Sequence, residues 1–387
     1  MKDEERLRRW RLLLGGGEAD GTGCRLGGDD AAIDTALGTL YGKGEGNEAK
    51  RRQGNLAASA PRVARWLGDI RQYFPARVVR ILQQDAIERL NLRTLLLEPE
   101  LLSQVEPDVN LVADLIELSS VMPDRTKALA REVVQKVLDE LEKRLAAPLR
   151  QAVTGSLLRS VRRRRPRPNE INWDATIKAN LRHYQPSLGT LIPETLIGHG
   201  RKQSSLQDIV LCIDQSGSMA SSVVYASLFG AVLASIRAVN TRLVAFDTAV
   251  ADLSDKLSDP VDVLFGIQLG GGTDIAQALQ YCQSQISRPA ETTLILISDL
   301  YEGGNAEQLL QRARELVAAG VQLIGLLALS DDGAPAYDAQ MAQKFAALGC
   351  PVFACTPELF PELMAAALER QDLGLWAARQ GIVTARS

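Results

Sequence analysis

The stretch "LCIDQSGSMA", Leu211 to Ala220, places an aspartate, two serines and a glycine directly after an apolar run. A buried strand that ends on one carboxylate and two hydroxyls, spaced D-x-S-x-S, admits three readings. The triplet is a nucleophile turn, a helix cap or a cation site. A D-x-S-x-S before a helix is most often an N-cap, and Ser216 or Ser218 is expected to cap a helix starting near Met219. A serine-hydrolase elbow needs G-x-S-x-G and a histidine partner. "DQSGS" lacks the leading glycine, and both histidines, His183 and His199, precede this region.

Working outward, the surrounding sequence alternates short apolar runs with helical segments from Leu206 onward. "DIVLCI", "TRLVAF", "TTLILIS", "VQLIGLLAL" and "PVFAC" read as strands, several of them apolar throughout, as strands covered on both faces are. The alternation predicts an α/β fold, a doubly wound and mostly parallel sheet with helices on both sides. "AFDTAVADLS" is too short for a crossover helix, so "AVADLS" is expected as an antiparallel edge strand.

The first ~160 residues read as helices. "AAIDTALGTLY" and "PRVARWLGDIRQYF" carry apolar residues at helical spacing, the second with Pro61 at its start. From Asp124, "DRTKALAREVVQKVLDELEKRLA" shows an apolar stripe from Leu129 to Leu145, and Pro148 is expected to end or bend that helix. "VRRRRPRPNE", Val161 to Glu170, reads as a linker, followed by a short capped helix from Asp174. The expected division is a helical domain over 1–160, a basic linker with a short helix over 161–205, the sheet domain over 206–370 and a tail over 371–387.

Charge separates the two halves. Residues 206–387 carry 10 basic against 20 acidic side chains, a net of −10, and residues 1–205 carry 34 against 27, a net of +7. The five cysteines are irregularly spaced, which with only two histidines argues against zinc and fits a reducing, cytoplasmic setting. The start "MKDEERLRRW" is charged where a signal peptide is apolar, and no apolar run approaches the ~20 residues of a membrane span.

Two further loops carry oxygen donors. "LGGGTDI" bends on Gly270 to Gly272 before Thr273 and Asp274, and in "ISDLYEGG" Asp299 ends a strand. Ligands of open parallel sheets bind beyond the carboxyl ends of the strands. Hydroxyls and carboxylates without nitrogen or sulfur suit a hard cation such as Mg²⁺, with Mn²⁺ the alternative. In that arrangement Ser216, Ser218 and Thr273 bind directly while Asp214 and Asp299 balance charge. Asp274 is either a peripheral group or a helix cap. A phosphate loop is excluded by the missing lysine.

These residues resemble the von Willebrand factor A (VWA) domain over roughly Leu206 to Ala367. Its metal-ion-dependent adhesion site (MIDAS) combines D-x-S-x-S, a threonine in a second loop and an aspartate in a third. The resemblance implies Asp214, Ser216, Ser218, Thr273 and Asp299 as metal ligands. "WRLLLG", "WDATIKANLRHY", "VAFDTAVADLSD" and "SDLYEGG" are further similar to bacterial intracellular VWA proteins related to the CoxE-like set. That resemblance implies a non-enzymatic adaptor, working with a MoxR-type AAA+ ATPase, whose ion is completed by a partner's Asp or Glu. The alternative is a nucleic-acid-binding protein using the basic half and "RRRRPRP".

Overall fold

The computed structural model describes Leu7, Leu12 and residues 26–41, 60–89, 92–160, 162–163, 171–186, 189–199, 207–267, 271–330 and 336–382. The "WRLLLG" stretch apart from Leu12, the "GKGEGNEAKRRQGN" stretch, Gly270 and most of the arginine run lie outside these. The chain divides into two compact units, Met1–Val137 and Leu138–Ser387. The division falls inside a helix rather than at residue 160.

The first unit is helical, as its periodicity requires: α1 (Asp29–Tyr41), α2 (Ala60–Tyr73), α3 (Ala76–Arg89), α4 (Pro99–Leu102), α5 (Val109–Glu117) and the start of α6 (Asp124–Ser160). On α2 the buried side chains Val63, Trp66, Leu67 and Ile70 recur at helical spacing. Buried Gln83 of α3 clamps the backbone of Glu106, accepting from its N–H at 2.8 Å and donating to its carbonyl at 3.1 Å. Helix α6 does not end at Pro148. Proline removes one helical hydrogen bond, but Leu141, Leu145, Leu149 and Val153 continue one buried stripe through it.

The second unit contains the end of α6, then β1 (Arg162–Arg163), α7 (Trp173–Ala179), β2 (Tyr184–Gln185), β3 (Thr190–Leu191) and β4 (Gly198–His199). The expected start of α7 at Asp174 is one residue late, since the helix begins at Trp173. Asn172 is the N-cap, accepting from the Ala175 N–H. The sheet domain follows: β5 (Gln207–Asp214), α8 (Ala220–Ala234), β6 (Val239–Phe246), β7 (Val250–Asp252), α9 (Pro260–Gly266), α10 (Ile275–Gln285), β8 (Thr292–Ile297), α11 (Ala306–Ala318), β9 (Gln322–Leu329), α12 (Ala339–Ala347), β10 (Val352–Cys355), α13 (Phe360–Leu368) and α14 (Leu373–Arg379).

The strands run in the order β10-β9-β8-β5-β6-β7. All pairs are parallel except the β6–β7 edge, which is antiparallel as the short connection demands. Every residue of β8 and all but the first of β5 are buried, because helices cover both faces. Helix α8 with the turn before it, Gly217–Ala234, is long and apolar enough to cross a membrane by composition, contrary to expectation. Its share buried within the fold, 67%, identifies it as a core helix.

Residues 371–382 are not a free tail. Helix α14 buries Trp376 with its ring 5.9 Å from that of Phe353, and Asp372 caps it. Cys212, Cys282, Cys350 and Cys355 are buried free thiols, and burial pushes Cys350 and Cys355 up to about 12.

In the helical unit, Asp108 caps α5 through a 2.7 Å bond from the Leu111 N–H. Burial nonetheless raises its carboxyl above the usual range, against the opposing pull of that bond and of Arg80. A raised carboxylate favours its protonated form in the fold, so its charge opposes stability at neutral pH and that opposition fades as pH falls through the folded pKa. Asp108→Asn keeps an acceptor without the charge and should unfold at equal or higher denaturant concentration at pH 7. Asp108→Ala loses the cap and should cost about 1 kcal/mol in urea titrations.

Candidate functional site at the carboxyl edge of the sheet

The chain leaves β5 for β6 on one side of the sheet and returns to β8 on the other. The order therefore reverses between β5 and β8, and a crevice opens beyond their carboxyl ends. Asp214 closes β5, and Asp299 follows β8 by two residues. Parallel pairing of Ile213 with Ile297 brings Ser298 alongside Asp214. The Ser298 hydroxyl donates to Asp214 Oδ2 at 2.8 Å.

After Asp214 the backbone turns on its own aspartate, whose Oδ1 accepts from the Ser216 N–H at 2.8 Å. A 3₁₀ turn over Gly217–Met219 follows. Helix α8 has Met219 at its N-cap with no side-chain cap, so neither serine caps it, contrary to expectation. The hydroxyls turn elsewhere. Ser216 Oγ lies 3.2 Å from Ser218 Oγ, and Ser218 donates to Asp299 Oδ2 at 2.7 Å. Residues 81 positions apart in the chain thus meet directly.

The third loop is held by strained backbone. Leu300 has φ 64, a left-handed conformation unusual outside glycine, and its side chain is buried. Its N–H donates to Ser298 Oγ at 3.0 Å, while the Tyr301 N–H reaches Asp299 Oδ1 at 3.3 Å. Such strain, worth about 1–3 kcal/mol, persists where the surroundings over-determine it.

In the second loop, Gly271 adopts φ 113, which only glycine accepts readily, with Asp247 packed against it. The Asp274 N–H donates to the Asp247 carbonyl at 2.8 Å. Thr273 is tied to the third loop through its carbonyl, which accepts from the Gly303 N–H at 2.8 Å. No hydrogen bond among the described residues joins Thr273 to Asp214, Ser216 or Ser218. Asp274 is a helix cap, accepting from the Gln277 N–H at 2.8 Å at the start of α10. Glu302 adds a second acceptor there, taking the Ile275 N–H at 2.9 Å. Burial, with Asp274 nearby, raises the Glu302 carboxyl despite its backbone bonds.

Asp214 is fully buried and Asp299 is 6% exposed. Burial raises the Asp214 carboxyl, and the negative charge of Asp299 adds to this, while the Ser216 and Ser298 donors oppose it. Among the described residues neither carboxylate is joined to a lysine or arginine. Nor does any group of three or more His, Cys, Asp or Glu side chains gather at metal-binding spacing. What converges is a mixed set, two carboxylates and two hydroxyls spared from capping. That donor chemistry fits a hard dication and no softer metal. Sequence reasoning missed Ser298, Leu300, Gly303 and Glu302. Only Ser298 had a signal, since a parallel β5–β8 pair in register puts it opposite Asp214.

Residues 143–364 match the family model for VWA domain containing CoxE-like protein. The chain belongs to that family. As a CoxE-like VWA protein it is 37% identical over 356 residues to the uncharacterized protein YehP of Escherichia coli, spanning 91% of this chain and 93% of that one. Among solved structures, an aerotolerance-related membrane protein from Bacteroides fragilis is 16% identical, with 43% of this chain and all of that one covered, at a TM-score of 0.34. A von Willebrand factor type A structure from Catenulispora acidiphila is 15% identical, covering 46% of this chain and 44% of that one, at a TM-score of 0.32.

Gly303 is where the second and third loops of this VWA protein touch. A Cβ there would lie 2.7 Å from the Thr273 carbonyl oxygen, closer than any real contact. Gly303→Ala should therefore push the loops apart, and we expect the melting temperature to fall by several degrees with the far-ultraviolet spectrum unchanged. A wild-type melting temperature in that variant would show that the loop contact does not matter to the fold.

Proposed function

We propose that this protein is a non-enzymatic, Mg²⁺-dependent protein-binding adaptor. The observation that carries the reading is the pair of buried carboxylates, Asp214 held by the Ser216 N–H and Ser298 and Asp299 held by Ser218, with no lysine or arginine joined to either among the described residues. Burying negative charge without a partner is unfavourable, and a dication at the mouth of the crevice relieves it. Asp214, Ser216, Ser218 and Asp299 would hold the ion, with Thr273 entering from the second loop. When bound, the ion supplies an electrophilic position that an Asp or Glu of a partner completes. Mn²⁺ has the same ligand preference and is the alternative occupant.

The chain's own residues position and select. Ser298 orients Asp214 from one side and the Ser216 N–H from the other, so the carboxylate is preset rather than recruited. Buried Leu300 fixes the turn that presents Asp299. His183 pairs with Glu194 at 3.1 Å in a turn before the sheet, and both aspartates would be committed to the ion, which leaves no base at the site among the described residues. This supports binding rather than hydrolysis. Kinship with CoxE-like proteins supports a MoxR-type AAA+ ATPase as partner, in protein remodelling or maturation in the cytoplasm. The arginine run invoked for nucleic acid lies largely outside the described residues, and no geometry favours that reading.

Mg²⁺ at about 100 times its Kd should stabilise the fold by about 2.7 kcal/mol, seen as a higher melting temperature. Asp214→Ala should remove that increment without lowering the metal-free melting temperature, because it also removes a buried charge. The same variant, or EDTA with wild type, should abolish capture of the cognate AAA+ ATPase in pull-downs. Capture that survives both treatments overturns the adaptor reading.

A further inference from the structure

The stretch "ISDLYEGG" ends on a glutamate and two glycines that the ion's donor set does not use. Glu302 is half-buried, and backbone takes both of its oxygens. Oε1 accepts from the Gly304 N–H at 2.8 Å, within its own loop. Oε2 accepts from the Ile275 N–H at 2.9 Å, 27 residues away. The carboxylate therefore bridges the third loop to the second. Helix α10 does not require it. Asp274 already caps that helix, and the first amides of a helix can be left to water.

Each glycine after Glu302 is bare for its own reason. A Cβ on Gly304 would lie 2.6 Å from Glu302 Oε1 and 3.4 Å from the Asp274 carboxyl carbon, so a side chain there would displace the bridging carboxylate. Gly303 donates its N–H to the Thr273 carbonyl and leaves no room for a Cβ beside that oxygen. The third loop thus grips the second at two points, the Thr273 carbonyl and the Ile275 N–H. Between them, the Asp274 N–H bonds to the Asp247 carbonyl in the β6–β7 turn, which supplies none of the five candidate ligands. Asp299 stands three residues before Glu302, on the turn that buried Leu300 fixes at φ 64.

We infer that Glu302 is a positioning residue of the candidate metal site, whose carboxylate clamps the second loop to the third and so holds Thr273 at a fixed offset from Asp299. This role rests on the divalent-ion reading of the site. Glu302 is not itself a ligand, since both of its oxygens face backbone donors. Mg²⁺ demands oxygen donors at about 2.0–2.1 Å in near-octahedral array, so a loop free to drift withdraws its hydroxyl from the ion. With Thr273 unbonded to the first loop among the described residues, the grip of the third loop is what brings it into place.

Two measurements on the full chain test this. Without metal, hydrogen exchange read by mass spectrometry should show the Ile275 and Gly303 amides exchanging about tenfold faster in Glu302→Ala, with the sheet strands unchanged. By calorimetry, Glu302→Ala should bind Mg²⁺ about tenfold more weakly, with Glu302→Gln, which keeps one acceptor oxygen, between it and wild type. That loss should vanish in a Thr273→Ala background, because a clamp acting through Thr273 then has nothing left to position. A purely structural role would lower the melting temperature and leave Mg²⁺ affinity alone. A ligand role would weaken binding further in the Thr273→Ala background. Either result overturns the inference, as does unchanged exchange. A wild type that binds no Mg²⁺ overturns the metal reading and this role with it, an outcome distinct from a wild type and a Glu302→Ala variant that bind Mg²⁺ equally well.

Discussion

The parallel pairing of β5 with β8 is the constraint on which the site depends. One register, Ile213 opposite Ile297, places a serine beside Asp214 and an aspartate within reach of Ser218. A parallel ladder slipped by one residue would turn every side chain to the other face. Register is enforced here because both strands are buried on both faces, where any slip would expose apolar groups to mismatched packing. The precision of the polar rim is inherited from the apolar sheet beneath it.

Around that pairing, the loops use different means to the same end. The first uses a side-chain turn on Asp214, the second a glycine at φ 113, the third a leucine forced to φ 64 by burial. Each conformation is unfavourable or restrictive in isolation. Together they hold like charges close while leaving hydroxyls turned outward. Two acidic groups, Asp274 and Glu302, are drawn off to finish α10. The local negative charge is therefore larger than the charge that Asp214 and Asp299 leave at the crevice.

The segment over 171–197 reverses the usual division of labour. In the sheet domain apolar burial carries stability and polar groups carry function. Here polar groups, Asn172, Thr176 and Asn180, hold the backbone while apolar groups face water. A segment so small cannot bury a core of its own, and hydrogen bonds from side chain to backbone substitute for one.

Much of the architecture was legible because it follows from local patterning. Apolar runs of strand length between helical stripes dictated a parallel sheet with covered faces, and a connection of a few residues dictated the antiparallel edge. The D-x-S-x-S stretch showed which strand end carries oxygen donors. Element limits were less legible. Helix α6 passes through Pro148 because a buried stripe outweighs one lost hydrogen bond, and α14 forms where a tail was expected because Trp376 finds the Phe353 ring. By itself, then, the sequence determined the layers, the edge strand and the candidate donors, since periodicity and residue chemistry are properties of neighbours along the chain. Tertiary structure alone decided that Ser218 bonds across to Asp299, with Ser216 against Ser218, instead of capping a helix, and that Gly303 must be bare beside Thr273. Those outcomes depend on distances between segments that no local pattern encodes.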